Sequence, residues 1–204
     1  MTSTLLLVRH GETAHNAAGR WQGQTDIPLS DIGRGQAMRL ATVLPRLSAN
    51  LLPTVVYSSD LSRAVETAEI LAMSIGQPVH HQTPAFRERG YGSWEGKSRA
   101  ECAELWPGHT RPHDGEVWLD VYNRMTAGLS DVLKLHPDDS SIMIVGHGAS
   151  LKAIIADVLY PGLGHHEPPG CLLSNTGLTV IQRGGDSIWR VERLNDTRHL
   201  EDAA

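Results

Sequence analysis

The chain has 204 residues, 40% of them hydrophobic and 20% charged, with a formal net charge of −5. That length and apolar fraction suit a single globular domain over residues 1–204, and no apolar run approaches the ~18 residues of a membrane-crossing helix. The acidic balance argues against a protein whose main affinity is for nucleic acid or an anionic membrane, so any anion site has to be local.

The first apolar run, Leu5 to Val8, is cut off by Arg9 and His10 and is too short for a signal-peptide core, from which a cytoplasmic address is expected. Leu5–Val8, Thr54–Tyr57 and Ile142–Val145 are strand-length runs bounded by polar residues or glycine, which predicts buried strands of an α/β sheet. A helix is expected from an N-cap at Ser30 to about Pro45 or a little beyond, carrying Met38, Leu40, Ala41 and Leu44. Helical spacing recurs in Leu61, Ala64, Val65, Ala68, Leu71 and Ile75, and again in Leu151, Ile154, Ile155 and Val158. A further helix is predicted over Val117 to Leu135, with Val121, Met125, Leu129, Val132 and Leu133 on its inner side. Between these elements, residues 86–116 combine glycines, prolines and aromatics without clean periodicity, which predicts a loop-rich cap over the sheet edge. The segment LTVIQRGGDSIWRVERLN has two β-like runs around a glycine-rich turn, so the sheet is expected to be mixed, and the last residues, LEDAA, to fray. Cys102 and Cys171 have no CxxC partner, and neither a disulfide framework nor a cysteine metal site is expected.

In open α/β sheets ligands bind beyond the carboxyl ends of the strands. The first strand ends in Arg9-His10-Gly11, the second leads through SSDLSRA to Arg63 about one turn into a helix, and the third ends in Gly146-His147-Gly148. Two arginines and two histidines at one edge suit a phosphate monoester: arginines and a helix N-terminus offer fixed donors, and the glycines allow close backbone approach. A histidine whose imidazolium is disfavoured by neighbouring arginine charge keeps a lone pair for attack on phosphorus. The leaving oxygen then needs a proton, for which FRERGYGSWEG supplies Glu88, whereas Glu95 is expected to pin the loop. The charge supplied by the arginines makes no metal necessary. Competing readings exist: Arg63 has Asp60 and Glu66 three residues away on a helix surface, and Glu88 lies between Arg87 and Arg89 as in a simple surface ion pair. His165 and His166 beside Glu167 lack the i, i+4 spacing of a helical zinc site, and a surface loop is expected there.

Taken together, RHGETAHN, RWQGQTDIPLSDIGRGQ, SSDLSRAVETA, RERGYGSWEG and GHG resemble the histidine phosphatase superfamily, the group that includes cofactor-dependent phosphoglycerate mutase, from Leu5 to about Ile181. The resemblance implies a three-layer α/β/α sandwich with a mixed, mostly parallel sheet. It implies that His10 becomes a phosphohistidine, that Glu88 is the proton donor, and that Arg9, Arg63 and His147 hold the phosphoryl group with Asn16, Gln22 and Gly23. His15 departs from the tryptophan of many members, beside but outside these roles.

Mutases of the family carry a long basic, proline-rich insertion after the acid loop, whereas this chain soon reaches Gly115-Glu116 and places Trp94, Trp106 and Trp118 there with few clustered cations. A cofactor-free phosphatase for small organic phosphates is therefore favoured, with an aromatic and histidine rim closed by GHHEPPG (164–170). A bisphosphoglycerate-dependent mutase and a non-catalytic phosphate-binding module are the alternatives. The only partner expected is the substrate, with neither nucleic acid nor membrane, and a homodimer through a sheet edge stays open.

Overall fold

The computed structural model describes residues 3–77, 79–168 and 172–201. In chain order the elements are β1 (Ser3–Arg9), α1 (Ala14–Ala17), α2 (Asp31–Val43), β2 (Val55–Ser59), α3 (Ser62–Ser74), β3 (Val79–Thr83), α4 (Arg99–Leu105), α5 (Trp118–Leu135), β4 (Ser141–Gly146), α6 (Gly148–Leu159), β5 (Leu178–Arg183) and β6 (Trp189–Asp196). The strands form one sheet in the order β3-β2-β4-β1-β5-β6. The first four in that order are parallel, while β5 and β6 join antiparallel, so the sheet is mixed as expected.

Alternation along each strand splits the core into two layers. Leu5, Leu7, Ile142 and Ile144 meet Val121 and Met125 of α5 and Ile154 and Ile155 of α6 on one face. On the other face, Leu6, Val8, Met143 and Val145 meet Leu40 of α2 and Ala64, Ala68 and Leu71 of α3. The molecule is thus a three-layer α/β/α sandwich. The expected N-cap is present, since the Ser30 hydroxyl accepts from Gly33 N at 3.0 Å. Met38 does not face the core: it is 56% exposed, because Ala37 and Leu40 take the inward positions and Met38 lies about 100° round the helix from Ala37.

Two elements escape the sequence reading, and one expectation needs correction. β3 has the sequence VHHQT, too polar to register as a buried strand, and it survives as the sheet edge beside β2. Inside residues 86–116 the chain forms α4, announced only by the capping box in which Ser98 and Glu101 satisfy each other's backbone N–H. The C-terminal end is held rather than frayed through Glu201: Arg198–Leu200 form a short 3-10 turn, and Leu200 O accepts from Arg39 at 3.1 Å. Residues 202–204 lie outside the described residues, as does Cys171; Cys102 is a buried free thiol. No helix among the described residues is long and apolar enough to cross a membrane.

Candidate active site

The register of β1 and β4 builds the centre of the site. Arg9 pairs with Gly146, so the next residues, His10 and His147, leave the sheet side by side, and His10 N donates to Gly146 O at 2.9 Å. Their rings are 5.0 Å apart and edge-on, and both are buried, at 2% and 0% exposure.

The hydrogen bonds fix the tautomers. His10 Nδ1 lies 2.6 Å from Gly11 O, which can only accept, so Nδ1 carries the proton and Nε2 keeps its lone pair. Arg63 Nε, which can only donate, lies 3.3 Å from His147 Nδ1, so His147 carries its proton on Nε2. Burial first, then Arg9 and Arg63, hold the His10 pKa well below its usual value; burial followed by Arg63 does the same to His147. Both rings are therefore neutral at neutral pH, one presenting a lone pair and the other an N–H.

The arginines converge on the same place. Arg63 is the second residue of α3 rather than a full turn along it, and it is completely buried. Neither suggested surface partner holds it: Asp60 pairs with Arg87 at 2.7 Å and Glu66 with Arg34 at 2.5 Å. Its guanidinium instead donates to Gly23 O at 2.8 Å and Thr25 O at 2.9 Å. Arg9 donates to Leu173 O at 2.5 Å, leaving its Nε buried without a partner among the described residues, as is Nε2 of His147. Two buried N–H donors with no acceptor carry a desolvation cost that an anion's oxygens would offset.

Glu88 follows β3 and a short 3-10 turn at Pro84–Phe86. Its flanking arginines are engaged elsewhere, Arg87 on Asp60 and Arg89 on Glu167 at 3.2 Å. The Glu88 carboxylate accepts from the backbone N–H groups of Arg89, Ala149 and Ser150 at 2.9–3.2 Å, so it sits over the N-terminal end of α6 beside His147. Glu95 pins its loop as expected, accepting from Gln24 N, Thr25 N and Tyr91 N at 2.9–3.0 Å. That clamp explains Gly23, whose φ of +55° favours glycine and where a Cβ would lie 1.9 Å from Glu95 Oε1. Gly11 is demanded by contact, because a Cβ there would lie 2.4 Å from Gly33 O.

Asn16 and Gln22 line the cavity, their side-chain oxygens engaged by Asn175 Nδ2 at 3.2 Å and Thr13 Oγ1 at 2.7 Å. Sequence reasoning missed Asn175, which also donates to His10 O at 2.9 Å. It also missed Arg124, which donates to Ala85 O and Arg87 O at 2.8–2.9 Å and so holds the segment leading into Glu88. The only signal for Arg124 is a cation on the inner face of α5, three residues after Val121.

The cavity is about 440 Å³, floored by Arg9 and His10. Its outer wall is aromatic and cationic, not aromatic and histidine: Trp21 and Tyr91 pack at 4.6 Å between ring centres, and Arg20, Arg99 and Lys152 line it. His165 and His166 are exposed instead, with their rings 4.1 Å apart, and Pro169 and Gly170 lie outside the described residues. Of these cations only Arg99 comes from residues 86–116; Arg20 and Lys152 reach the wall from two other segments. Trp94 and Trp118 are buried packing residues, the latter donating to Gly164 O at 3.1 Å.

The family profile described as histidine phosphatase superfamily (branch 1) matches residues 5–197. The chain belongs to that superfamily. Among its relatives is a glucosyl-3-phosphoglycerate phosphatase of Mycolicibacterium vanbaalenii, 36% identical over 170 residues, covering 76% of this chain and 73% of the relative. A metal-independent phosphoserine phosphatase of Arabidopsis thaliana is 33% identical over 207 residues, covering 96% and 82%. The solved structure of Bacillus stearothermophilus YhfR superposes with a TM-score of 0.81 at 34% identity, covering 98% of this chain and all of that one. The histidine phosphatase fold thus accounts for the converging strand ends, while the aromatic and cationic wall departs from the aromatic and histidine rim that the loop sequences suggest.

Proposed function

We propose that this histidine phosphatase is a metal-independent phosphomonoesterase for small organic phosphates, with His10 as its nucleophile. The observation that carries the reading is the tautomer of His10: Nδ1–H is committed to Gly11 O, so the Nε2 lone pair is ready for phosphorus without a separate base. The N–H groups of Arg9 Nε and His147 Nε2, without a partner among the described residues, take phosphoryl oxygens, and Arg63 holds the His147 tautomer while adding its own charge. Asn16, Gln22 and Gly23 complete the phosphate cradle from the first loop.

In the first half-reaction Nε2 of His10 attacks phosphorus, the P–O ester bond breaks, and Glu88 gives a proton to the leaving oxygen. In the second, water attacks the phosphohistidine, its proton passes to Glu88, the P–N bond breaks, and inorganic phosphate leaves. The site opens on a cavity lined by Trp21 and Tyr91, which suits an organic leaving group of modest size. A cytoplasmic enzyme is the simplest setting for such a substrate.

Phosphate release from p-nitrophenyl phosphate in chelator tests the reading. Wild type turns the ester over and forms an acid-labile phosphoenzyme, and His10→Ala loses at least ~10³-fold in kcat with no phosphoenzyme. Full activity in His10→Ala, or isomer transfer between phosphoglycerates without phosphate release, would overturn it; the second result belongs to a mutase.

A further inference from the structure

The cations of the cavity wall are not equally open to a substrate. Arg20 is paired with Glu101 at 2.9 Å, and Arg99 stacks over the Trp21 ring at 5.1 Å with no ion pair among the described residues. Lys152 lies one turn beyond Gly148 on α6, facing the cavity over the Trp118 ring at 5.8 Å, with its side chain only 14% exposed. Its charge is met by Glu167 at 3.7 Å, and the other oxygen of the same carboxylate reaches Arg89 at 3.2 Å. Glu167 itself lines the cavity and remains 46% exposed.

A carboxylate of the protein thus stands on the cavity wall beside Lys152, in the place that a second anionic group of a substrate would otherwise take. We propose that Glu167 is a specificity-determining residue that limits the charge of the leaving group: it keeps Lys152 and Arg89 engaged and repels a polyanion. This rests on the phosphomonoesterase reading of the same cavity. A polyanionic leaving group would have to displace Glu167 or lie against it, and like charges a few ångströms apart in a half-buried site repel appreciably. Leaving groups that are uncharged, or whose single charge reaches Arg99 beside Trp21, meet no such barrier.

The test compares glycerol 3-phosphate, whose leaving group is neutral, with 2,3-bisphosphoglycerate, whose leaving group is polyanionic, by phosphate release from wild type and Glu167→Gln. The ratio of kcat/KM for the bisphosphate over the neutral ester is expected to rise about five- to tenfold in Glu167→Gln, and by less in high salt. In a Lys152→Met background the gain from Glu167→Gln should shrink to less than half, because the cation it uncovers has gone. An unchanged ratio, or an equal loss on both esters, would overturn the proposal and make Glu167 a structural tie. The same ratio is read as dissociation constants by calorimetry in His10→Ala, which does not depend on turnover. Failure of wild type to release phosphate from either ester would count against the phosphomonoesterase reading, while the calorimetric ratio still decides the role of Glu167.

Discussion

Arg63 does three things with one planar group: Nε orients His147, and the two terminal nitrogens hold the carbonyls of Gly23 and Thr25. A lysine keeps the charge but has no fork with which to make three directed bonds. Arg63→Lys is therefore expected to lower kcat/KM by about 10²-fold, the scale of losing one preorganised donor in a site of this kind. Steady-state kinetics on a single ester decide it, and a loss below about threefold would show that charge alone suffices. At this scale the sequence was informative where chemistry constrains residue type: His10, His147, Arg9, Arg63 and Glu88 all lie at one cavity. It was silent about Asn175 and Arg124, whose work is done through backbone carbonyls and leaves no pattern in the sequence.

Among the elements, the loop holding Gly23 and Thr25 has no regular structure and depends on Glu95 of the cap, which accepts four hydrogen bonds from residues 24, 25 and 91. Glu95→Ala leaves those donors without their shared acceptor and frees the walls around Arg63. The expected result is a KM raised several-fold with kcat less affected, and faster amide exchange at Gln24 and Thr25 than elsewhere in the site. Unchanged exchange at those two amides would mean that the loop is held by Arg63 alone. The elements that the sequence concealed share a physical cause. β3 sits at an edge where polar residues are tolerated, and α4 has seven residues, too few for a periodic apolar stripe to stand out. β3 nevertheless matters to the site, because Glu88 follows from its end.

For the whole molecule, burying two neutral histidines couples stability to pH. The folded pKa values of His10 and His147 are depressed chiefly by burial, and burial also lowers that of His199, so the unfolded chain binds more protons below the ordinary histidine value. Stability from these groups is complete above about pH 6.5 and is lost as pH falls toward the depressed folded values, at up to about 1.4 kcal/mol per pH unit for each. Melting temperature is accordingly expected to fall from about pH 7 to about pH 5, with a shallower slope in His10→Ala. A flat profile over that range would contradict the buried, neutral assignment. The mixed α/β sheet was legible because strands, helices and the C-terminal turn carry clear local signals, and its three layers were implied by the family resemblance, whereas the charge of the cavity wall depends on segments that meet only in the fold.

The pairing of β1 also has a consequence in time. This strand precedes every other strand of the sheet in the chain, yet its neighbours are residues 141–146 on one side and 178–183 on the other. As the chain emerges, Leu5–Val8 wait without either partner until residues 141–146 have been made, an apolar segment with open edges. The proposed nucleophile at its end can be aimed only when the sheet closes around it, so the emerging chain reaches its greatest exposure to misassociation before it can acquire any catalytic power.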